Sequence, residues 1–324
     1  MKTMKKIVSI IMVLIMLLGV KLPCYATTQR EVNPKLNTTA AYLLKTVTAP
    51  KIGSIGGEWT VMGLARSNYK VPEEYFDNYY KEIEAYVKNN QGILHKKKYT
   101  EYSRVILALT AIGKDPTHVG GYNLVEKLGD FEKTISQGIN GAIFALIALD
   151  SNQYEIPENK EAKTQATRDL YIKEILKRQL IDGGFALTGD KADPDITAMA
   201  LQALSKYKSR KDVKPAIEKA LNCLSRIQNS KGGYESWGTE NVESAAQVLV
   251  ALCELGIEPT DKRFVKNGKT VVDNILSYYT TKGFKHTMDN LGDSLMATEQ
   301  AFYALVGYQR FISHESSLYD MTGA

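Results

Sequence analysis

Two aspartates flank a proline in Asp193-Pro194-Asp195-Ile196-Thr197-Ala198, a segment that runs directly into an apolar, alanine-rich stretch. Asp193 and Asp195 place two carboxyl groups at the start of that stretch, where a carboxyl could serve in acid/base work. Glu243 opens a second alanine-rich stretch in the same manner. Two such carboxyls facing one cavity at about 5 to 9.5 Å would suit glycoside cleavage. Aromatic, amide and imidazole groups stand at comparable places. Phe185 and Tyr234 follow paired glycines, Trp237 lies in a polar loop, Trp59 and Asn140 head further apolar stretches, and His286 occupies a third loop. A concave site lined by aromatics with a few carboxylates suits a small ligand. The candidate catalytic residues are therefore Asp195 and Asp193. The candidate ligand-binding residues are Trp237, Glu243, Tyr234, Phe185, Asn140, Trp59 and His286.

Plainer roles compete with these. Asp193 before Pro194 is a good helix start, aspartate at the N-cap and proline at the first helical position, which leaves Asp195 a first-turn carboxylate. Asn140 could likewise cap its helix rather than read a ligand. Trp237 could be a buried staple or an exposed stacking surface, and His286 could face solvent without chemistry. Neither Cys223 nor Cys253 sits in an Asp-x-Cys pair or a ligand cluster, so no metal is expected, and no cofactor.

The elements that would position these groups repeat. Gln179, Gly183, Gly184 and Phe185 form a Q-x-x-x-G-G-aromatic pattern, which returns as Gln228, Gly232, Gly233 and Tyr234, and more loosely as Tyr279, Gly283 and Phe284. Each copy leads into a helix of small and apolar residues. The run ending Ala108-Leu109, Gly113, Asp115-Pro116 aligns on Ala251-Leu252, Gly256, Glu258-Pro259. Such internal similarity is the signature of a repeat architecture. Two kinds of helix alternate. Six stretches, starting near Glu58, Thr100, Asn140, Asp195, Glu243 and Ala297, are apolar nearly all round, which places them inside with close neighbours. Others, at 33–48, 75–90, 163–180, 213–229 and 264–279, carry one apolar stripe and belong outside; in 213–229 the stripe is Ile217, Ala220, Leu221, Leu224 and Ile227. The predicted fold is all-α: a closed α/α toroid, or α/α barrel, of about six helical hairpins with inner and outer rings. In such a barrel the inner helices all start at one rim, so the loops that carry the candidate residues converge on a single mouth.

Length and composition suit one large globular domain or two ordinary ones. Lys2, Lys5 and Lys6 precede an apolar run over 7–20, and Cys24-Tyr25-Ala26 supplies a small-x-small cleavage pattern, so 1–26 is expected to be a secretory signal peptide cleaved after Ala26. A short linker over 27–35, the toroid over 36–312 and a tail over 313–324 would follow. The signal carries four of the 41 basic residues and no acidic one, leaving 37 against 36, or +1. That near-neutral balance gives no electrostatic basis for binding nucleic acid or a membrane surface, and the mature chain holds no apolar run of spanning length. A secreted monomer binding a small-molecule or cell-surface ligand is the reading. An extracellular address permits a Cys223–Cys253 bridge, although both lie mid-helix among apolar neighbours, where buried free thiols are common.

The Q-x-x-x-G-x-aromatic pattern is similar to the QW repeat of the prenyltransferase/squalene-cyclase superfamily, and Asp193-Pro194-Asp195-Ile196-Thr197-Ala198 resembles the DxDDTA motif of class II terpene cyclases. The resemblance spans essentially the whole mature chain. It looks closest to secreted toroid proteins of Gram-positive bacteria with prenyltransferase/squalene-oxidase repeats. It implies a toroid fold and places Asp195 on the position of the general acid, with Ile196 where the family has its third aspartate and Phe185 and Tyr234 where it has tryptophan. It leaves three functions in view: ligand binding at the barrel mouth, terpene-cyclase-like acid catalysis by Asp195, and glycan chemistry by Asp195 with Glu243.

Overall fold

A computed structural model describes residues 29–323. The expected signal peptide and its cleavage point lie outside the described residues. Among the described residues twelve α-helices follow one another with almost no sheet: α1 (Gln29–Thr46), α2 (Trp59–Arg66), α3 (Glu73–Asn89), α4 (Thr100–Ala111), α5 (Phe131–Ile135), α6 (Ile139–Ser151), α7 (Arg168–Lys177), α8 (Pro194–Leu204), α9 (Lys214–Ile227), α10 (Val242–Leu255), α11 (Val271–Ser277) and α12 (Leu295–Ile312). The even-numbered helices form the inner ring. Each packs on the next, and α12 returns to pack on α2. The chain is a closed α/α toroid of six hairpins.

Composition explains why these helices can stand side by side. In α6 eleven of thirteen residues are buried, many of them alanine or glycine, which allows close backbone approach. A Cβ added to Gly141 would lie 1.8 Å from the carbonyl oxygen of Thr134, and one on Gly63 of α2 would lie 3.1 Å from Phe302 of α12. The outer helices are amphipathic: α3 buries Tyr79, Ile83 and Val87, one face at helical spacing. Two outer helices are shorter than their apolar patterns predict. Thr167 caps α7 by accepting from Leu170 N, and Thr270 with Asp273 forms a capping box on α11, so those helices begin several residues later than 163 and 264.

The repeated glutamine is structural. Gln179 Nε2 donates to Gly183 O and to Ala216 O on α9, both at 2.8 Å; Gln228 Nε2 donates to Gly232 O at 2.9 Å and to Phe264 O at 3.1 Å. Each thus ties its own glycine turn to the next outer segment. Gly183 and Gly232 adopt φ of +90° and +79°, which admits only glycine readily.

Residues 313–323 are packed into the body rather than hanging from it. Leu318, Tyr319 and Met321 are buried. Arg66, at the end of α2, donates to the carbonyl oxygens of Leu318, Ser317 and Asp320; Glu254 near the end of α10 accepts from Ser317 Oγ and Tyr319 N; Met321 N donates to Ser151 O at the end of α6. The segment therefore lies across the C-terminal ends of the inner helices and closes that end of the barrel. Cys223 and Cys253 are both buried free thiols. Among the described residues no helix is long and apolar enough to cross a membrane.

Candidate functional site

The open end of the barrel is built from the first turns of the inner helices. In α6 the two residues that are not buried are Asn140 and Phe144; in α8 they are Asp195 and Met199. Residues four apart share a helix face, and both pairs face a cavity of about 370 Å³ at the barrel axis. Thr100 and Arg104 of α4 repeat the spacing, α2 adds Trp59, and Gln247, Gln300 and Tyr303 come from α10 and α12. Tyr319, on the C-terminal segment, contributes to the cavity from the far end.

The cavity has an aromatic side and an amide side. Trp59 stands 6.0 Å from Phe144 and 5.5 Å from Tyr303 between ring centres, in tilted packing. The amides are held in place by one another. Gln247 Nε2 donates to Tyr303 Oη and to Gln300 Oε1, and Gln202 Nε2 donates to Gln247 Oε1. Gln137 Oε1 accepts from Thr100 N while its Nε2 donates to Thr100 Oγ1. Two acceptors of the cavity wall, Asn140 Oδ1 and Asp195 Oδ1, are buried without a hydrogen-bond partner, as is Gln202 Oε1 of the network. Native proteins rarely leave such atoms unpaired, and each one asks for an explanation.

Burial pushes the Asp195 carboxyl up to about 7; Asp193 and Glu243 raise it further, against the favourable influence of Ser244. Ser244 is close enough to help the charged form, yet its Oγ makes no hydrogen bond of good geometry. Two more carboxyls behind the wall behave alike. Glu58 is raised to about 7 by burial, opposed by Arg104, whose Nε lies 3.3 Å away, and by Gly53 N at 2.9 Å. Glu299 is raised to about 7 by burial while accepting from Thr60 Oγ1 and from Gly56 N. Arg104 also pairs with Glu101 at 2.7 Å.

The candidates divide. Asp195, Asn140 and Trp59 line the cavity. Asn140 is no cap, because Gly138 holds that position and Asn140 lies one turn-edge inside the helix. Asp193 is the cap of α8: its Oδ1 accepts from Ile196 N at 3.0 Å, and its Oδ2 accepts from Ser236 Oγ. Both oxygens thus serve the cap and the neighbouring hairpin, and the residue borders the groove beside the cavity. Glu243 is buried with both oxygens on His286 Nδ1, at 3.0 and 2.9 Å, and is absent from the cavity wall. Phe185 and Tyr234 are wholly buried in the core. They are staples of the glycine turns, since Phe185 N donates to Thr197 Oγ1 and its ring points inward with the apolar set. Trp237 is 81% exposed and lines a groove beside the cavity rather than the cavity itself. Phe144, Met199 and Gln247 were legible as the residues one turn beyond Asn140, Asp195 and Glu243. Arg104 stands in the same relation to Thr100, whereas Tyr319 had no such signal. Among the described residues no group of three or more His, Cys, Asp or Glu is placed to hold a metal ion.

In sequence the chain matches no family model and no curated protein. In structure it is similar to the Bacillus sp. GL1 unsaturated glucuronyl hydrolase, responsible for glycosaminoglycan degradation, with TM-score 0.58, 11% identity, and coverage of 92% of this chain and 100% of that one. It is similar to Candida albicans protein geranylgeranyltransferase-I, with TM-score 0.57, 12% identity, and coverage of 87% and 92%. It is also similar to a type II terpene cyclase from Scytonema, with TM-score 0.56, 12% identity, and coverage of 86% and 99%. At 11 to 12% identity these likenesses concern the α/α toroid fold alone.

Proposed function

We propose that the protein is secreted and binds a small ligand in the cavity at the mouth of the barrel. The observation that carries this reading is the pair of buried, unpartnered acceptors of the cavity wall, Asn140 Oδ1 and Asp195 Oδ1, beside Gln137 and Gln247, which are held by hydrogen bonds of their own. A donor on a ligand would supply what the fold withholds. The site has the character of a ligand pocket, with aromatic surface for contact area and a few polar groups for orientation. Secretion rests on the lysine-flanked apolar run at the start of the sequence. The test is a thermal-shift and calorimetric screen of the mature protein against a broad panel of small polar ligands, repeated with Asn140→Ala. Binding that weakens in the variant supports the reading; no binding across the panel ends it.

A second reading is acid catalysis by Asp195. Its support is the carboxyl raised to about 7, which keeps a proton available at neutral pH. The fold neighbours include enzymes acting on isoprenoid and on glycan substrates. A two-carboxylate glycan mechanism with Glu243 lacks support, because Glu243 is turned to His286. Incubation with polyprenyl and oligosaccharide substrates checks the acid reading. Product from the wild type, lost in Asp195→Asn, supports it; no product from the wild type removes it.

A further inference from the structure

Beside the cavity runs a groove of about 510 Å³ that shares Leu187, Asp195 and Met199 with it, so the two are one continuous depression. Its outer edge is a hairpin of Glu235–Ser236 paired with Thr239–Glu240, and Trp237 sits at the tip. Two-residue turns with positive φ at both positions favour Asn-Gly or Asp-Gly. Here the pair is Trp237-Gly238, with φ of +51° and +78°. A tryptophan in that position strains the backbone and is left 81% exposed, costs that neither folding nor solubility explains. Its ring is free to meet something lying in the groove.

The chemistry of the cavity narrows what that is. One side offers flat aromatic faces, Trp59 and Phe144; the other offers amides, each both donor and acceptor. A sugar ring has the matching division, an apolar face of C–H groups and a rim of hydroxyls that each donate and accept. An isoprenoid chain would leave Asn140 Oδ1 and Asp195 Oδ1 without partners. The cation of the cavity wall, Arg104, is held by Glu58 and Glu101, which leaves little attraction for an acidic sugar. Building on the cavity reading above, we infer that the ligand is a linear, uncharged oligosaccharide whose end sits in the cavity and whose chain leaves along the groove across Trp237.

The sequence contains two tryptophans, one at each place, and this makes the inference testable by fluorescence. In Trp237→Phe the emission comes from Trp59 in the cavity; in Trp59→Phe it comes from Trp237 in the groove. The probes are cello-, xylo- and chito-oligosaccharides of two and six units. Two-unit sugars are expected to shift the Trp59 emission alone. Six-unit sugars shift both, and bind about tenfold tighter through the added stacking. Trp237→Ala removes that tenfold gain and leaves two-unit affinity unchanged, with circular dichroism and thermal midpoint showing the fold intact. Equal affinity for both lengths, or a Trp237 emission that never moves, overturns the inference. If these sugars leave Trp59 unmoved while farnesol or another non-sugar shifts it, the saccharide assignment falls and the cavity reading stands. If no ligand of any class moves Trp59, both fall.

Discussion

Asp195 and Glu243 occupy the same position, second in successive inner helices behind the caps Asp193 and Asn241, yet only Asp195 faces the cavity. The difference is made by a third loop. His286 is delivered beside Glu243, with Nδ1 within 3.0 Å of both carboxylate oxygens, and its carbonyl accepts from Val242 N. No such partner reaches Asp195, whose Oδ1 stays bare. Equal places in the repeat therefore carry unequal chemistry.

The two aspartates of the motif should separate on mutation. Asparagine caps a helix about as well as aspartate, so Asp193→Asn should keep stability within about 0.5 kcal/mol and leave ligand binding intact, whereas Asp193→Ala should cost about 1–2 kcal/mol in urea unfolding. Asp195→Asn should alter binding while keeping the fold. Loss of binding in a stable Asp193→Asn protein would contradict the cap assignment.

Stability should fall as pH rises from about 4 to about 7. Glu58, Asp195 and Glu299 are each raised to about 7 by burial, far above the ordinary carboxylate range. Between those values the unfolded chain has lost protons that the folded chain retains, so the folded state is favoured in acid and loses that advantage through neutrality. Thermal midpoints measured across this range should decline, and Asp195→Asn should flatten the decline and raise the midpoint at pH 8. A midpoint that climbs with pH over the same window, with no flattening in the variant, would refute the raised carboxyls.

Arg66 should hold the far end of the barrel shut. Its guanidinium donates to carbonyl oxygens at 317, 318 and 320 and to Ser316 Oγ. Arg66→Ala leaves the buried Leu318 carbonyl and the part-buried carbonyls of Ser317 and Asp320 without this donor, at a cost of about 3 kcal/mol. The C-terminal segment should become susceptible to carboxypeptidase, and ligand affinity should drop because Tyr319 is displaced from the cavity. Unchanged protease resistance would show that other contacts suffice.

Gly141→Ala should be among the most damaging single-methyl changes in the chain. The added Cβ would fall 1.8 Å from Thr134 O, a backbone atom that cannot move without shifting α5. Urea unfolding should show a loss of more than about 3 kcal/mol, beyond the usual cost of overpacking. Gly189→Ala is the control for added bulk, since nothing lies within 4 Å of that position; its φ of +84° confines the effect to backbone strain of about 1 kcal/mol.

The repeat was legible because it is written in residue types that packing demands. Small, apolar, all-round-buried helices alternate with striped ones, and glutamine, glycine and an aromatic recur where outer segments must be tied together. From these alone the ring of six hairpins and the single mouth follow, and so does the position of Asp195 and Asn140 at that mouth. The helical period also implied Phe144 and Met199, one turn beyond them. The aromatics of the glycine turns misled, since Phe185 and Tyr234 have the residue type of ligand contacts and the burial of core.

What tertiary structure alone decided is which side chains find partners. Asp193 is spent on Ser236 and its own helix, Glu243 on a histidine 43 residues away, and Tyr319 reaches the cavity because Arg66 holds the chain's end beneath it. Helical period and turn chemistry act over a few residues, so a sequence displays them directly. Hydrogen bonds between distant loops depend on how the ring closes, and closure is a property of all six hairpins together.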